Sequence, residues 1–195
     1  MRVIGGTARG RALKGPPKPR TWGTSTKQRR ELRPTSDLVR GVIFDMLDAM
    51  GASYDRVLDL YAGTGALGIE ALSRGEGTAD FVENNPAAIA VIRANLAATG
   101  FMERAAMHRV DVREAPRRVN PGYTLVLADP PYYDAGALAA VEGVARAGLV
   151  APMGVLVIEH HRRIAAPERI AEMKLYKTRR HGDTVVSIYQ QEDDK

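Results

Sequence analysis

No cysteine occurs among the 195 residues, which excludes a disulfide framework and any thiolate metal site. Histidine is scarce as well, at four residues. His160 and His161 are adjacent in an apparent strand, so they point to opposite faces and cannot share one ion. No residue set is therefore assigned to a metal. No apolar run approaches the length needed to span a membrane, and the first residues lack the hydrophobic segment of a signal peptide. A cytoplasmic protein with no membrane partner is expected. No internal repeat or linker divides residues 56 to 191.

Hydrophobic residues at 45% and charged residues at 26% suit one well-buried globular core. The net charge of +5 is unevenly placed. Residues 1–40 hold eleven Lys or Arg against Glu31 and Asp37, or +9, and the remainder sums to −4. A mildly acidic body with a strongly basic arm points to a polyanionic partner, most simply a nucleic acid.

The opening "MRVIGGTARGRALKGPPKPR" reads as short strands or an extended arm with a turn. "TWGTSTKQRREL" reads as a basic loop. A helix then begins near Thr35 or Ser36, with Asp37 complementing its dipole and an apolar stripe at Val39, Val42, Ile43, Met46, Leu47 and Met50. From Arg56 strands and helices alternate, which predicts βαβ units and a parallel sheet. "MKLYKTRR-HGD-TVVSIYQQ" predicts a closing antiparallel hairpin.

"VLDLYAGTGALGIEALSRG" places Gly63, Gly65 and Gly68 in a G-x-G-x-x-G spacing between a strand and a helix. Glu83 ends the next strand about twenty residues later, where an acid holds ribose hydroxyls. Asp59 lies within the first strand, ahead of the glycines. A carboxylate there would repel a pyrophosphate and suits a ligand carrying positive charge. Asp111 follows the third strand and Asp129 the fourth. Four acids at successive strand ends match the ammonium, sulfonium, ribose diol and adenine amine of S-adenosylmethionine. A nicotinamide oxidoreductase would explain only the glycines and Glu83.

"TLVLADPPYYD" ends the fourth strand in an acid and two prolines, which stop the sheet ladder. Asp129 and the Pro130 carbonyl could accept the two N–H groups of an exocyclic amine and aim its nitrogen for displacement. Pro131 stiffens the turn. Tyr132 could stack on a base swung out of its helix, whereas Tyr133 has packing as its expected job.

"DPPY" resembles the (Asp/Asn)-Pro-Pro-(Tyr/Phe) motif of class I methyltransferases acting on planar amino groups. With "IGGTARGRAL", "RPTSDLVR…IFDML", "FVENN" and the late "HGDT", the chain resembles the RsmD family of bacterial 16S rRNA guanine methyltransferases along nearly its whole length. The resemblance implies an α/β class I S-adenosylmethionine-dependent methyltransferase fold. That fold is Rossmann-like, with a mostly parallel seven-stranded sheet, a terminal antiparallel hairpin and a basic N-terminal extension. The expected division is a basic, RNA-contacting extension over 1–34 and the methyltransferase domain over 35–195. The implied reaction is methyl transfer to the N2 amine of one guanine in the small ribosomal subunit, by a monomer. The alternative is an amino-methyltransferase of the same fold acting on DNA adenine or cytosine, or on another RNA.

By the same resemblance Asp129, Pro130, Pro131 and Tyr132 carry the chemistry. Asp59, Tyr61, Ala62, Gly63, Gly65, Ala66, Glu83, Asn84, Asp111, Val112 and Asp129 hold the cofactor. Arg9, Arg11, Arg33, Thr35, Asp37 and Arg40 face RNA or organise the site mouth. The chain departs from the family where Gly41 and Asn85 stand in place of acids. The stretch from Gly15 to Leu32, with Trp22, Lys27, Arg29 and Arg30, is longer than usual in the family and is expected to order on the particle.

Overall fold

The structure is a computed structural model describing residues 1–15, 37–131 and 136–191. The expectations for Trp22 to Leu32, Arg33, Thr35, Tyr132 and Tyr133 lie outside the described residues.

Helix α1 (Asp37–Ala49) precedes strand β1 (Arg56–Leu60), followed by α2 (Ala66–Arg74), β2 (Thr78–Val82), α3 (Pro86–Thr99), β3 (Ala105–His108) and β4 (Tyr123–Ala128). Then come α4 (Ala137–Arg146), β5 (Val150–His161), β6 (Arg169–Ile170), β7 (Met173–His181) and β8 (Thr184–Gln191). The strands form one sheet in the order β3-β2-β1-β4-β5-β8-β7-β6. The first five are parallel, and β8, β7 and β6 add antiparallel. The seven expected strands and the closing hairpin are present. The added strand, β6, has two residues and no alternating pattern long enough to read.

The sheet is covered on both faces, as a parallel sheet must be. Helices α1, α2 and α3 pack with Val57, Leu125, Leu127, Val155, Val157, Val186 and Ile188. Helix α4 and the 3-10 turn Val112–Arg117 pack with Leu58, Leu60, Val126, Leu156, Ile158 and Tyr189. Residues one apart along a strand thus serve opposite cores, which is why these strands read as continuous apolar runs.

Residues 1–15 fold as a small hairpin, with an antiparallel bridge between Arg2 and Ala12. Its Val3, Ala8 and Leu13 side chains are buried in the same core as α1, α2 and α3. The docking is polar at its centre. The Ile4 and Gly5 N–H groups donate to the two carboxylate oxygens of Glu70, at 2.8 and 2.7 Å. The Ser73 hydroxyl donates to the Gly5 carbonyl at 2.6 Å and accepts from the Ala8 N–H at 2.9 Å. Asn95 of α3 accepts from the Lys14 N–H at 2.7 Å. A segment expected to be an extension is therefore built into the domain.

Gly6 makes this approach possible. Its φ is +72°, and a Cβ there would fall 1.8 Å from the Ser73 carbonyl oxygen. Gly10 shares a positive φ of +83° but has open space around it. Gly10→Ala should therefore cost only the left-handed strain, about 1–2 kcal/mol. Gly6→Ala should cost clearly more, because the hairpin must also lift off α2. Urea unfolding of both variants checks this, and equal midpoints would contradict the docking described.

Candidate active site

The strand order reverses between β1 and β4, which leave the sheet side by side, Leu60 in register with Ala128. Ligands of open α/β sheets bind in the crevice at such a reversal. Both sequence motifs open there, the glycine loop after β1 and Asp129-Pro130-Pro131 after β4.

The glycine loop is sharply wound, with positive φ at Tyr61 (57°), Gly63 (55°) and Gly65 (75°). The Ala62 N–H donates to the Val82 carbonyl at 3.1 Å, and the Glu83 N–H to the His108 carbonyl at 3.1 Å, so the tips of β1, β2 and β3 are tied together. Gly68 lies inside α2, where a Cβ would fall 2.4 Å from the Phe81 ring. The third glycine is thus required by helix-on-strand packing, while the first two serve the turn.

Asp59 is 1% exposed. Its Oδ2 accepts from the Gly68 N–H at 2.8 Å, which supplies a cap to the first turn of α2 that Gly65 cannot give. Burial raises this carboxyl well above the usual carboxylate range, and the nearby charges of Asp129 and Glu83 push it the same way. Glu83 accepts from the Gly63 N–H at 2.9 Å and from the Asn85 N–H at 2.8 Å. The structure therefore brings Asp59, Glu83 and Asp129 into one electrostatic neighbourhood.

Asp111 caps the 3-10 turn through the Arg113 N–H at 3.0 Å and pairs with the Arg113 guanidinium at 2.8 Å. Those bonds hold its carboxyl below the usual range. Ala62, Ala66 and Val112 are buried, Tyr61 is half-buried and Asn84 is exposed. Asn85 caps α3 by accepting from the Ala87 N–H at 2.9 Å.

Asp129 is half-buried, Pro130 buried and Pro131 exposed. Behind the prolines lies a cavity of about 210 Å³, walled by Ala137, Leu138, Ile158, His160 and Tyr189. Sequence reasoning missed these residues. The signal was that β4 and β5 are neighbours, so whatever ends β5 borders the proline turn. His160 is a satisfied strand residue whose Nε2 meets the Ser187 hydroxyl at 2.8 Å, and burial lowers its pKa.

Of the residues expected to face RNA, Arg9 and Arg11 are exposed on the hairpin, Arg11 donating to the Ala98 carbonyl at 2.8 Å. Asp37 is partly exposed at the start of α1. Arg40 is a correction. It is 0% exposed, paired with Asp37 at 3.0 Å and Glu70 at 3.5 Å, and it donates to the Arg2 carbonyl. Its helical position turns it inward, beneath the hairpin, where it offsets a buried carboxylate.

Along residues 1–190 the chain matches the family model described as "Conserved hypothetical protein 95". It is 34% identical to "Putative rRNA methyltransferase YlbH" of Bacillus subtilis, covering 97% of this chain and 98% of that protein. It is 28% identical to Ribosomal RNA small subunit methyltransferase D of Escherichia coli strain K12, covering 98% and 90%. Among solved structures it resembles "Putative methyltransferase yhhF" from Escherichia coli, with a TM-score of 0.80, 28% identity and 98% coverage of each chain.

The raised Asp59 pKa gives a pH test. A carboxyl whose folded-state pKa is raised favours the folded state most below its unfolded pKa, and loses that contribution as pH rises through the folded value. Asp59→Asn keeps an acceptor for the Gly68 N–H and removes the titration. Relative to wild type, the variant should gain stability as pH rises from about 4, the unfolded carboxyl's pKa, toward neutrality. Denaturant titrations across that range check it; a flat difference would remove the charge burden assigned to Asp59.

Proposed function

The chain belongs to the RsmD family, and from that membership together with the site geometry we propose that it methylates the N2 amine of a guanine in 16S rRNA, using S-adenosylmethionine. The observation that carries this reading is the pairing, at one strand reversal, of a cluster of acids with an Asp-Pro-Pro turn. A buried Asp59, its pKa raised by burial and by the nearby charges of Asp129 and Glu83, marks a site poorly matched to a phosphate-bearing cofactor and well matched to a cationic one. Asp59 and Glu83, with the backbone of Gly63 and Gly65, would hold the donor, and Asp111 would serve its adenine end by sharing Arg113's bonds. Bound there, the donor supplies an electrophilic methyl on a sulfonium.

The remaining work falls to β4. A guanine amine has its lone pair delocalised into the ring and is a poor nucleophile. The Asp129 carboxylate accepting one N–H, and the Pro130 carbonyl the other, would localise that lone pair and fix its direction. Asp129 need not be a strong base, since the proton can leave after the nitrogen becomes cationic. Pro130 and Pro131 bring no backbone N–H to compete for the carboxylate. The Tyr132 ring, by family resemblance, stacks on the extruded base.

Tritiated methyl transfer to small subunits lacking the modification, followed by nucleoside analysis, tests the reading. N2-methylguanosine is the expected product, and a labelled adenosine or cytidine would replace it with the alternative substrate. Asp129→Ala should abolish transfer while leaving cofactor affinity within about tenfold, or 1.4 kcal/mol. A variant that stays fast would overturn the role given to that acid.

A further inference from the structure

Strand β7 carries Lys174, Lys177, Arg179 and Arg180 with His181 in nine residues and contains no acid. From Lys174 onward every one of its residues but Leu175 is exposed. The charge count that assigned −4 to the body after residue 40 concealed this. Residues 162–183 hold seven Lys or Arg against Glu168, Glu172 and Asp183. Among the described residues, Lys177 and Arg179 make no ion pair with a carboxylate.

Register fixes where these cations stand. Ala128 pairs with Ile158, Ile158 with Ser187, and Ser187 with Thr178. Arg179, one residue further on, is therefore level with Asp129 across the sheet. Because β8 is antiparallel to both its neighbours, β7 runs in the direction of β5 and β4. Its cationic end thus reaches the same edge as the Asp-Pro-Pro turn. Three strand spacings separate them, about 14 Å. Lys177 opposes Ile188 and Arg179 opposes Val186, both members of the core under α1, α2 and α3. Directly opposed residues share a face. These two cations therefore lie on the face that also bears the basic amino-terminal hairpin.

The register between β7 and β8 shifts between Leu175 and Lys177, leaving Tyr176 as the extra residue of a bulge. Its side chain is exposed, at 58%. Charges that merely guard the edge β7 presents beyond its two-residue pairing with β6 do not require an outward ring or a single sign. An exposed aromatic between cations is what single-stranded RNA binds, phosphates on the cations and a base on the ring.

We infer that β7, through Lys177, Arg179 and Tyr176, is a second RNA-binding surface that grips the rRNA strand beside the target nucleotide. The inference rests on the reading that the substrate is rRNA. Lys177→Ala/Arg179→Ala should raise the KM for small subunits about tenfold and leave kcat within twofold. It should also reduce the slope of log Kd for 16S rRNA against log salt by about 1.5, the share of two phosphates. Affinity for S-adenosylhomocysteine and the thermal midpoint should not change. Tyr176→Ala should weaken RNA binding with no change in that slope, which separates stacking from charge. Wild-type enzyme that methylates rRNA, with a double variant whose KM and slope match it, would overturn the surface alone. In that case increased aggregation of the variant would mark the cations as edge guards. Wild-type enzyme that methylates DNA and no RNA would overturn the substrate reading and the RNA surface together.

Discussion

Burial of the Asp59 carboxyl at the tip of β1 is the constraint around which the site is arranged. Parallel strands leave the β1–β4 reversal with apolar side chains on both faces, so an acid placed there loses water and gains little counter-charge. One oxygen is held by the Gly68 N–H, which ties the acid to the first turn of α2. That bond needs a glycine, because a side chain at position 68 would meet the Phe81 ring and approach Asp59 itself, at 3.1 Å from Oδ2. The same acid that caps the helix also faces Glu83 and Asp129. Three carboxylates in one neighbourhood favour a ligand of positive charge.

A second buried acid, on α2 itself, shows the contrasting solution. Glu70 is 0% exposed but is met by two backbone N–H groups of the hairpin, by Arg74 at 3.0 Å and by Arg40 at 3.5 Å. Here the charge is compensated, and the result is attachment. Removing one partner from such a cluster would leave an unpaired buried charge, usually far costlier than losing the pair together. Helix α2 therefore carries the glycine loop at its start and the amino-terminal hairpin further along, so the two are rigidly related. Two acids in one helical neighbourhood divide the labour, one toward ligand and one toward architecture.

Alternation of apolar runs with capped helices was enough to place all seven long strands and α1 to α4, because each element's local signals agree with its tertiary place. The glycine loop, Glu83 and Asp129 were legible for the same reason: a turn that must wind through positive φ and an acid at a strand end leave a mark in the residue types. Burial of a cation was not legible. Arg40 sits in a helix beside exposed-looking neighbours, and only the docking of the hairpin encloses it against Glu70, itself one unremarkable acid in "ALGIEALSRG". Nor was the cavity behind Pro130 legible, since it depends on β5 lying beside β4. The hairpin's docking failed for a related reason: Gly5, Gly6 and Ser73 are far apart in sequence, and small residues do not announce a close approach.

Charge of both signs has to coexist near the mouth without cancelling. Acids cluster at the tips of β1, β2 and β4, whereas the exposed cations of β7 stand three strands away, at the rim. At physiological salt the screening length is about 8 Å, shorter than the roughly 14 Å across three strands. The two fields would therefore act on different parts of one ligand. On the proposed reading, a phosphate backbone would be drawn to that rim and repelled from the centre, while a sulfonium and the N–H groups of a base would be drawn inward. An extruded nucleotide meets both demands at once, since its base leaves the strand while its phosphates stay with their neighbours. Such an arrangement would orient the substrate before any base-specific contact forms, and would reject a phosphate-first approach by repulsion, independent of shape.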